Sequence, residues 1–290
     1  MTGITLETSP LVFTPNHVFT PNHRGANLAA FATLARRRLS LSLRTPRAIL
    51  LPLATPALIA VVIAPALAKT AGPIAGIGYM TYLAIGTAGL VVPLSCMQAG
   101  LAAIVDRNSG AQPDLLAAPV PRGLLVFANL AAALVTSALQ VAALVGLSLA
   151  RGASLGTSAS GVAWFAAAAV LLAIATYGVA EILAHHIAAE EEYVNAIPTI
   201  GIAPWFFAGS LFPINSLPGW LSAVTKALPV THAIALMRYG VASRNVAGLH
   251  AIWGLNNPAT MAALSATVLA LYAAVLTALA VRTFTRGAVR

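Results

Sequence analysis

The stretch Asp106-Arg107-Asn108-Ser109-Gly110-Ala111-Gln112-Pro113-Asp114-Leu115-Leu116-Ala117-Ala118-Pro119-Val120-Pro121-Arg122 is a polar island between two long apolar runs. A second island runs from Gly209-Ser210-Leu211-Phe212-Pro213 through Leu217-Pro218-Gly219-Trp220-Leu221 to Leu228-Pro229-Val230-Thr231-His232 and Arg238. A soluble core has no use for polar islands spaced about one bilayer apart. In a polytopic membrane protein they are the connections between spans, the only parts a soluble partner can grip.

Composition agrees. Of the 290 residues 59% are hydrophobic and 8% charged, where soluble domains carry roughly a quarter charged residues. The mean hydropathy is +0.87. A net charge of +9 would point to nucleic acid in a soluble chain. Here the arginines flank apolar runs and no basic stripe is interleaved with aromatics, so membrane lipids are the expected partner and nucleic acid is not.

Six apolar runs cover about residues 48–68, 78–101, 123–150, 161–184, 194–212 and 258–281. Each meets the length of roughly 18–20 residues that crosses the hydrocarbon core. The fifth contains Pro198 and Pro204 and is expected to kink. Ahead of them, residues 28–43 place Leu28, Phe31, Ala35, Leu39 and Leu43 on one arc opposite Arg37 and Arg44, the pattern of an interfacial helix. Residues 1–25 read as a disordered tail with a tandem Val-Phe-Thr-Pro-Asn-His, and 26–290 as one transmembrane domain. No secretory signal pattern opens the chain, and with Cys96 as the single cysteine no intrachain disulfide forms.

With an inner N-terminus, eleven basic residues fall on inner segments and five on outer ones. This orients both termini to the cytoplasm of a cell-membrane protein. Trp164, Trp205, Trp220 and Trp253 all fall toward the outer side, as an aromatic belt would.

The sequence holds no phosphate-cradling loop: its lysines, Lys69 and Lys226, sit in Ala-Lys-Thr and Thr-Lys-Ala. Neither a zinc-protease helix nor a Gly-x-Ser-x-Gly elbow is present. No catalytic, cofactor or metal site is therefore expected. His186 and Glu190 would share a face of a helix, but no third ligand accompanies them, and a solvated loop is the reading preferred. Glu181 lies near the inner end of the fourth run and reads as a residue at the lip of a pore. Gln98, Thr136, Ser137 and Gln140 are the polar residues within the second and third runs, either bonding helix to helix or lining a translocation path.

In the first island, Asp106, Asn108 and Ser109 offer caps and Gly110 a tight turn. Leu115 and Leu116 give the following short helix an apolar face, and Pro119 and Pro121 stop it. Such a helix suits docking into a groove of a soluble partner. In the second island, Pro213 and Pro218 end the fifth span and start a helix, and Pro229 breaks it. Leu217, Trp220, Leu221, Val224 and Leu228 recur at helical spacing, and a second helix carries Ile234, Met237 and Val241. This predicts a short outer hairpin capping the pore, with Phe212, Pro213, Pro218, Trp220, Pro229 and Arg238 as its gate residues.

These motifs carry a resemblance. Asp106-Arg107-x-x-Gly110-x-x-x-x-Leu115-Leu116-x-x-Pro119-Val120-x-Arg122 resembles the cytoplasmic segment of type-2 ABC exporter permeases. Arg44-Thr45-Pro46-Arg47 with Pro56 is similar to the start of the daunorubicin-resistance-like members. The outer signature is matched by Gly209-x-x-Phe212-Pro213, Leu217-Pro218-Gly219-Trp220-Leu221, Leu228-Pro229-x-Thr231 and Arg238, although the family often has Asn where Leu228 stands. The resemblance spans Ala26 to Arg282. It implies an all-α fold of six transmembrane helices, an N-terminal interfacial helix, a cytoplasmic coupling helix over Asp106–Pro119 and an outer hairpin. It also implies a second permease copy and two ATP-binding-cassette subunits, with ATP and Mg held by those partners and not by this chain. The implied cargo is amphiphilic: drugs, polyketides, lipids or lipid-linked glycans. A gradient-driven secondary transporter is the alternative, and it should show intramembrane acids and an inverted repeat. An intramembrane enzyme would need a paired nucleophile and base, which the sequence does not supply.

Overall fold

The computed structural model describes residues 23–74, 76–111, 115, 120–156, 158–242 and 245–287. The chain is an all-α polytopic membrane protein, with no strand among the described residues beyond a single bridge between Ile74 and Ile77. Helix α1 (His23–Arg44) is followed by α2 (Pro46–Leu58), which continues through a π turn (Ile59–Ile63) into α3 (Ala64–Ala71). Then come α4 (Tyr79–Asn108), α5 (Gly123–Ala150) and α6 (Ala159–His186). Next, α7 (Glu190–Ile197) runs through a second π turn (Pro198–Ile202) into α8 (Ala203–Phe207). The remaining helices are α9 (Gly219–Thr225), α10 (Pro229–Val241), α11 (Ala247–Trp253) and α12 (Pro258–Gly287).

Local chemistry sets these boundaries. Pro46, Pro229 and Pro258 open helices, where a missing amide hydrogen costs nothing. The Ser158 hydroxyl accepts from the Gly161 amide to cap α6, and the Asn257 side-chain oxygen accepts from Ala259 and Thr260 to cap α12. The π turns follow Pro56 and start at Pro198, positions where proline interrupts the regular ladder. The expected kink of the fifth run is thus a one-turn bulge.

Helix α4 is the axis of the bundle: 67% of its most apolar window is buried, against 22% for α12. Helix α6 packs on α4, α10 and α12, and α1 lies along α5. Between apolar helices in lipid, close packing replaces the hydrophobic effect, so small residues mark the tightest crossings. A Cβ on Gly240 of α10 would stand 2.5 Å from the Gly161 carbonyl oxygen of α6, closer than real Cβ atoms come. At the opposite end a Cβ on Gly100 would collide with the Tyr193 hydroxyl.

Among the described residues five helical stretches are long and apolar enough to cross a membrane, Ile49–Ala71, Tyr79–Asn108, Gly123–Ala150, Ala159–His186 and Pro258–Arg286. The fifth run predicted from sequence is not among them, because its helical stretch opens on Glu190, Glu191 and Glu192. It nonetheless traverses the bundle. Asn108 donates to Glu190 at one end of α4; the Tyr193 hydroxyl donates to the Met97 carbonyl, Trp205 Nε1 to Gly86, and the Tyr82 hydroxyl to Gly209 at the other end. Its eight, five and five residues rise about 27 Å, close to one hydrocarbon thickness. The chain must change ends here, since α6 finishes beside Arg107 whereas α12 finishes with Phe284 at that same end.

Helix α10 departs from expectation. The sequence places it in an outer surface hairpin, as the partner of a Trp220 helix of about eleven residues that is too short to span. In the structure every residue from Val230 to Val241 is buried against α6, α12 and α4. It bends 79° away from α9, so the pair re-enters the bundle instead of lying across it. A short helix is tolerated at that depth because protein, not lipid, surrounds it. Only the part up to α9 stays at the surface, with Trp220 71% exposed.

Candidate functional site

At the end of α4 where Asp106 lies, three elements meet. Arg38 of α1 is buried and donates to the Asp106 carboxylate at 2.8 Å and to the Ala99 carbonyl at 3.3 Å. Arg37 stands 3.9 Å from the same carboxylate. Next in sequence, Arg107 donates to the Ala184 and Ile187 carbonyls, each at 2.8 Å. Those carbonyls are left free by the helix end of α6, where a cation is also favoured by the dipole. Adjacent residues on one turn thus tie α4 to α1 and to α6.

This corrects the capping role read for Asp106. The residue belongs to the last turn of α4, whose helix continues to Asn108, and its carboxylate pairs with Arg38. Gly110 makes the predicted turn at φ +80°. Leu115 is helical but half-buried, packed on the bundle core and sharing a cleft with Asp106, Arg107 and Leu125. Its face is therefore turned toward the protein. Leu116, Pro119 and most of the predicted coupling helix lie outside the described residues, as does the tandem tail except His23, which opens α1.

Glu181 lines the same cleft, is buried, and accepts from the Tyr177 hydroxyl one turn earlier at 2.8 Å. Among the described residues it makes no ion pair. His186 and Glu190 do not share a helical face, because the helix is interrupted at 187–189. Instead His186 Nδ1 meets the Ile182 carbonyl and Glu190 accepts from Asn108. No cluster of three metal-ligating side chains occurs among the described residues.

The four candidate path residues divide. Gln98 and Thr136 line a cleft of about 40 Å³ bounded by Arg38, Ile49 and Ser95. Ser137 lines a separate apolar groove of about 300 Å³ between α5 and α6, floored by Val141, Phe165 and Ala169. Gln140 is buried and donates to the Ile49 carbonyl at 2.7 Å, which fastens α5 to α2. They form no single polar line.

At the opposite end Arg238 of α10 is 4% exposed. It donates to Gly209 at 2.6 Å and to Ser210 and Tyr82 carbonyls at 3.1 Å, and its guanidinium carbon stands 3.5 Å over the Tyr82 ring. A cavity of about 110 Å³ lies against it, lined also by Pro213, Thr231, Ala235, Gly248 and Ala251. Of the other predicted gate residues, Phe212 is half-buried, Pro218 and Trp220 are exposed, and Pro229 starts α10. Pro213 and Arg238 alone share the cavity.

The four tryptophans do gather at this end. Trp164 meets the Tyr239 ring edge-on, and Trp253 Nε1 donates to Ser265, which also meets His232. Trp205 is buried and bonded to Gly86, so it belongs to the core and not to a lipid-facing belt. Arg38 and Tyr82 went unnoticed in the sequence. Arg38 is one of three consecutive arginines, and only the packing of α1 on α5 selects it.

Residues 29–241, from α1 to the end of α10, match the family model described as ABC-2 type transporter. No curated protein matches the chain.

Proposed function

The chain belongs to the ABC-2 type transporter family, and from that premise we propose that it is the membrane half of an ATP-driven exporter of amphiphilic compounds. It is a multi-pass permease subunit of an ABC transporter, and membership of the family implies an ATP-binding partner subunit. The finer reading is two such ATPases and a second permease. The family's daunorubicin-resistance-like branch, with drugs, polyketides, lipids or lipid-linked glycans as cargo, is part of that reading.

The observation that carries it is the junction at Asp106 and Arg107. One ion pair fixes α1, the neighbouring guanidinium fixes α6, and the segment that follows α4 springs from this braced turn. A push delivered there by a nucleotide-driven partner reaches three helices together. The apolar groove beside Ser137 suits a greasy cargo and offers a naked ion nothing. Arg38 and Arg238 are both buried, and without them ten inner basic residues stand against four outer ones. This favours the Asp106 end, with both termini, facing the cytoplasm of the cell membrane.

The test is co-expression with an ATP-binding-cassette subunit that co-purifies with this chain. Arg107→Ala should leave the chain in the membrane and the complex assembled, while cutting transport-linked ATP hydrolysis at least tenfold. Unchanged hydrolysis and transport would remove the coupling role. Glu181, the one buried acid among the described residues, is what a gradient-driven carrier would use. Transport that persists without the ATPase and is lost in Glu181→Gln would favour that second reading.

A further inference from the structure

Every acid among the described residues lies at one end of this molecule, and one buried cation lies at the other. Asp106, Glu181 and Glu190 gather at the junction just described, and Glu191 and Glu192 follow Glu190. Arg238 sits beside Tyr82, twenty-four residues from Asp106 on α4, or about 36 Å along the helix. The remaining acids of the sequence, Glu7 and Asp114, lie outside the described residues.

A buried charge is ordinarily paired, because desolvation is costly unless an opposite charge and hydrogen bonds offset it. Arg238 has carbonyl dipoles and the face of a ring, but among the described residues no carboxylate. Two buried side-chain atoms of residues that line its cavity have no hydrogen-bond partner among the described residues: Arg238 Nε and Thr231 Oγ1, the threonine being 2% exposed. Both residues line the cavity, as do the exposed Asn215 and Ala247. A guanidinium without a counter-charge against the cavity, with an unpartnered N–H and an unpartnered hydroxyl buried in its wall, is an arrangement an oxyanion would complete.

We propose that this cavity binds the carboxylate or phosphate head of an amphiphile, so that the transported class is anionic. The volume supports a head and no more. At about 110 Å³ it is smaller than the roughly 150 Å³ void that holds benzene, so an alkyl tail must remain outside, along the apolar surface of the bundle. Oxyanion binding supplies the counter-charge that the described residues lack, and it does so at the end of the path where cargo would leave. The proposal rests on the export reading for its purpose but not for its test, which needs neither ATP nor a partner.

The test is thermal unfolding of the purified full chain in dodecyl maltoside, titrated with dodecyl phosphate, phosphatidylglycerol, inorganic phosphate or dodecyltrimethylammonium. Dodecyl phosphate should raise Tm with the logarithm of its concentration above Kd, by about 5 °C at a hundredfold excess. Ala251→Leu, which occupies the cavity and leaves the Arg238 side chain in place, should keep its own cooperative transition and lose that shift. Thr231→Val should weaken binding about tenfold, and Arg238→Gln should abolish it. A shift from phosphatidylglycerol as large as that from dodecyl phosphate identifies a bilayer lipid as the source, and a shift from dodecyl phosphate alone identifies a single-chain cargo; both support the anion site. An equal shift with the cationic amphiphile, an unchanged shift in Ala251→Leu, or a full shift from inorganic phosphate alone would overturn it. Any of these leaves the Arg107 coupling test standing, and failure of that test leaves this one intact.

Discussion

At the Asp106 end a buried guanidinium meets a carboxylate; at the Arg238 end a buried guanidinium meets only carbonyl oxygens and the face of Tyr82. The first arrangement is complete within the chain and joins three elements. The second is satisfied in hydrogen bonds on its two terminal nitrogens but not in charge, and it opens on a cavity. The difference separates a brace from a receptor. A paired charge holds helices in a fixed relation, whereas an uncompensated one awaits a partner from outside.

Removing each cation should expose that contrast. Arg238→Met removes three charge-assisted hydrogen bonds, to the Gly209, Ser210 and Tyr82 carbonyls, each worth about 1.5–3 kcal/mol, although Gly209 keeps the Tyr82 hydroxyl as a donor. This is the largest expected loss, to be read as a fall in Tm and in the monodisperse yield of purified protein. No second substitution in the chain should restore it, because no charged partner exists among the described residues.

Asp106→Ala should cost somewhat less, up to about 3 kcal/mol, since it leaves Arg38 buried and unpaired beside a partly wetted site. Here a second substitution should help: Arg38→Met in the Asp106→Ala background should recover most of the stability but not transport-linked hydrolysis. If the double variant stays as unstable as the single, the pair is not the brace described.

Gln140→Leu probes the middle of the molecule. It loses one bond to Ile49 but also removes a buried oxygen with no partner, so stability should change by no more than about 1 kcal/mol. Transport should continue. Lost transport in a chain of normal Tm would instead put Gln140 on the path of the cargo. Smallest of all, Trp220→Ala should shift stability by less than about 0.5 kcal/mol, since the ring is exposed.

How far the sequence carries differs between these regions for physical reasons. The long spans are legible because lipid imposes a length, and α4, α5, α6 and α12 fall within a few residues of their apolar runs. Pro198 announces the bulge between α7 and α8. The tie at Asp106 is invisible, because Arg38 and Asp106 are 68 residues apart and Arg36 and Arg37 look equally suitable. The burial of α10 is invisible for a different reason. Length rules tell whether a helix can cross lipid, but they are silent on a helix wholly enclosed by its neighbours. Arg238 was legible as a motif residue, while its lack of a carboxylate partner required the depth of every acid.

The central claim is that these two ends face opposite sides of one membrane. Cys96 is buried and is the only cysteine, so Cys96→Ser gives a silent background. Single cysteines at the exposed positions Ser109 and Ser216 can then be labelled with a membrane-impermeant maleimide on intact cells and on inverted vesicles. The account predicts that the residue-216 site labels only on intact cells and the residue-109 site only on inverted vesicles. Labelling of both from the same side would contradict it.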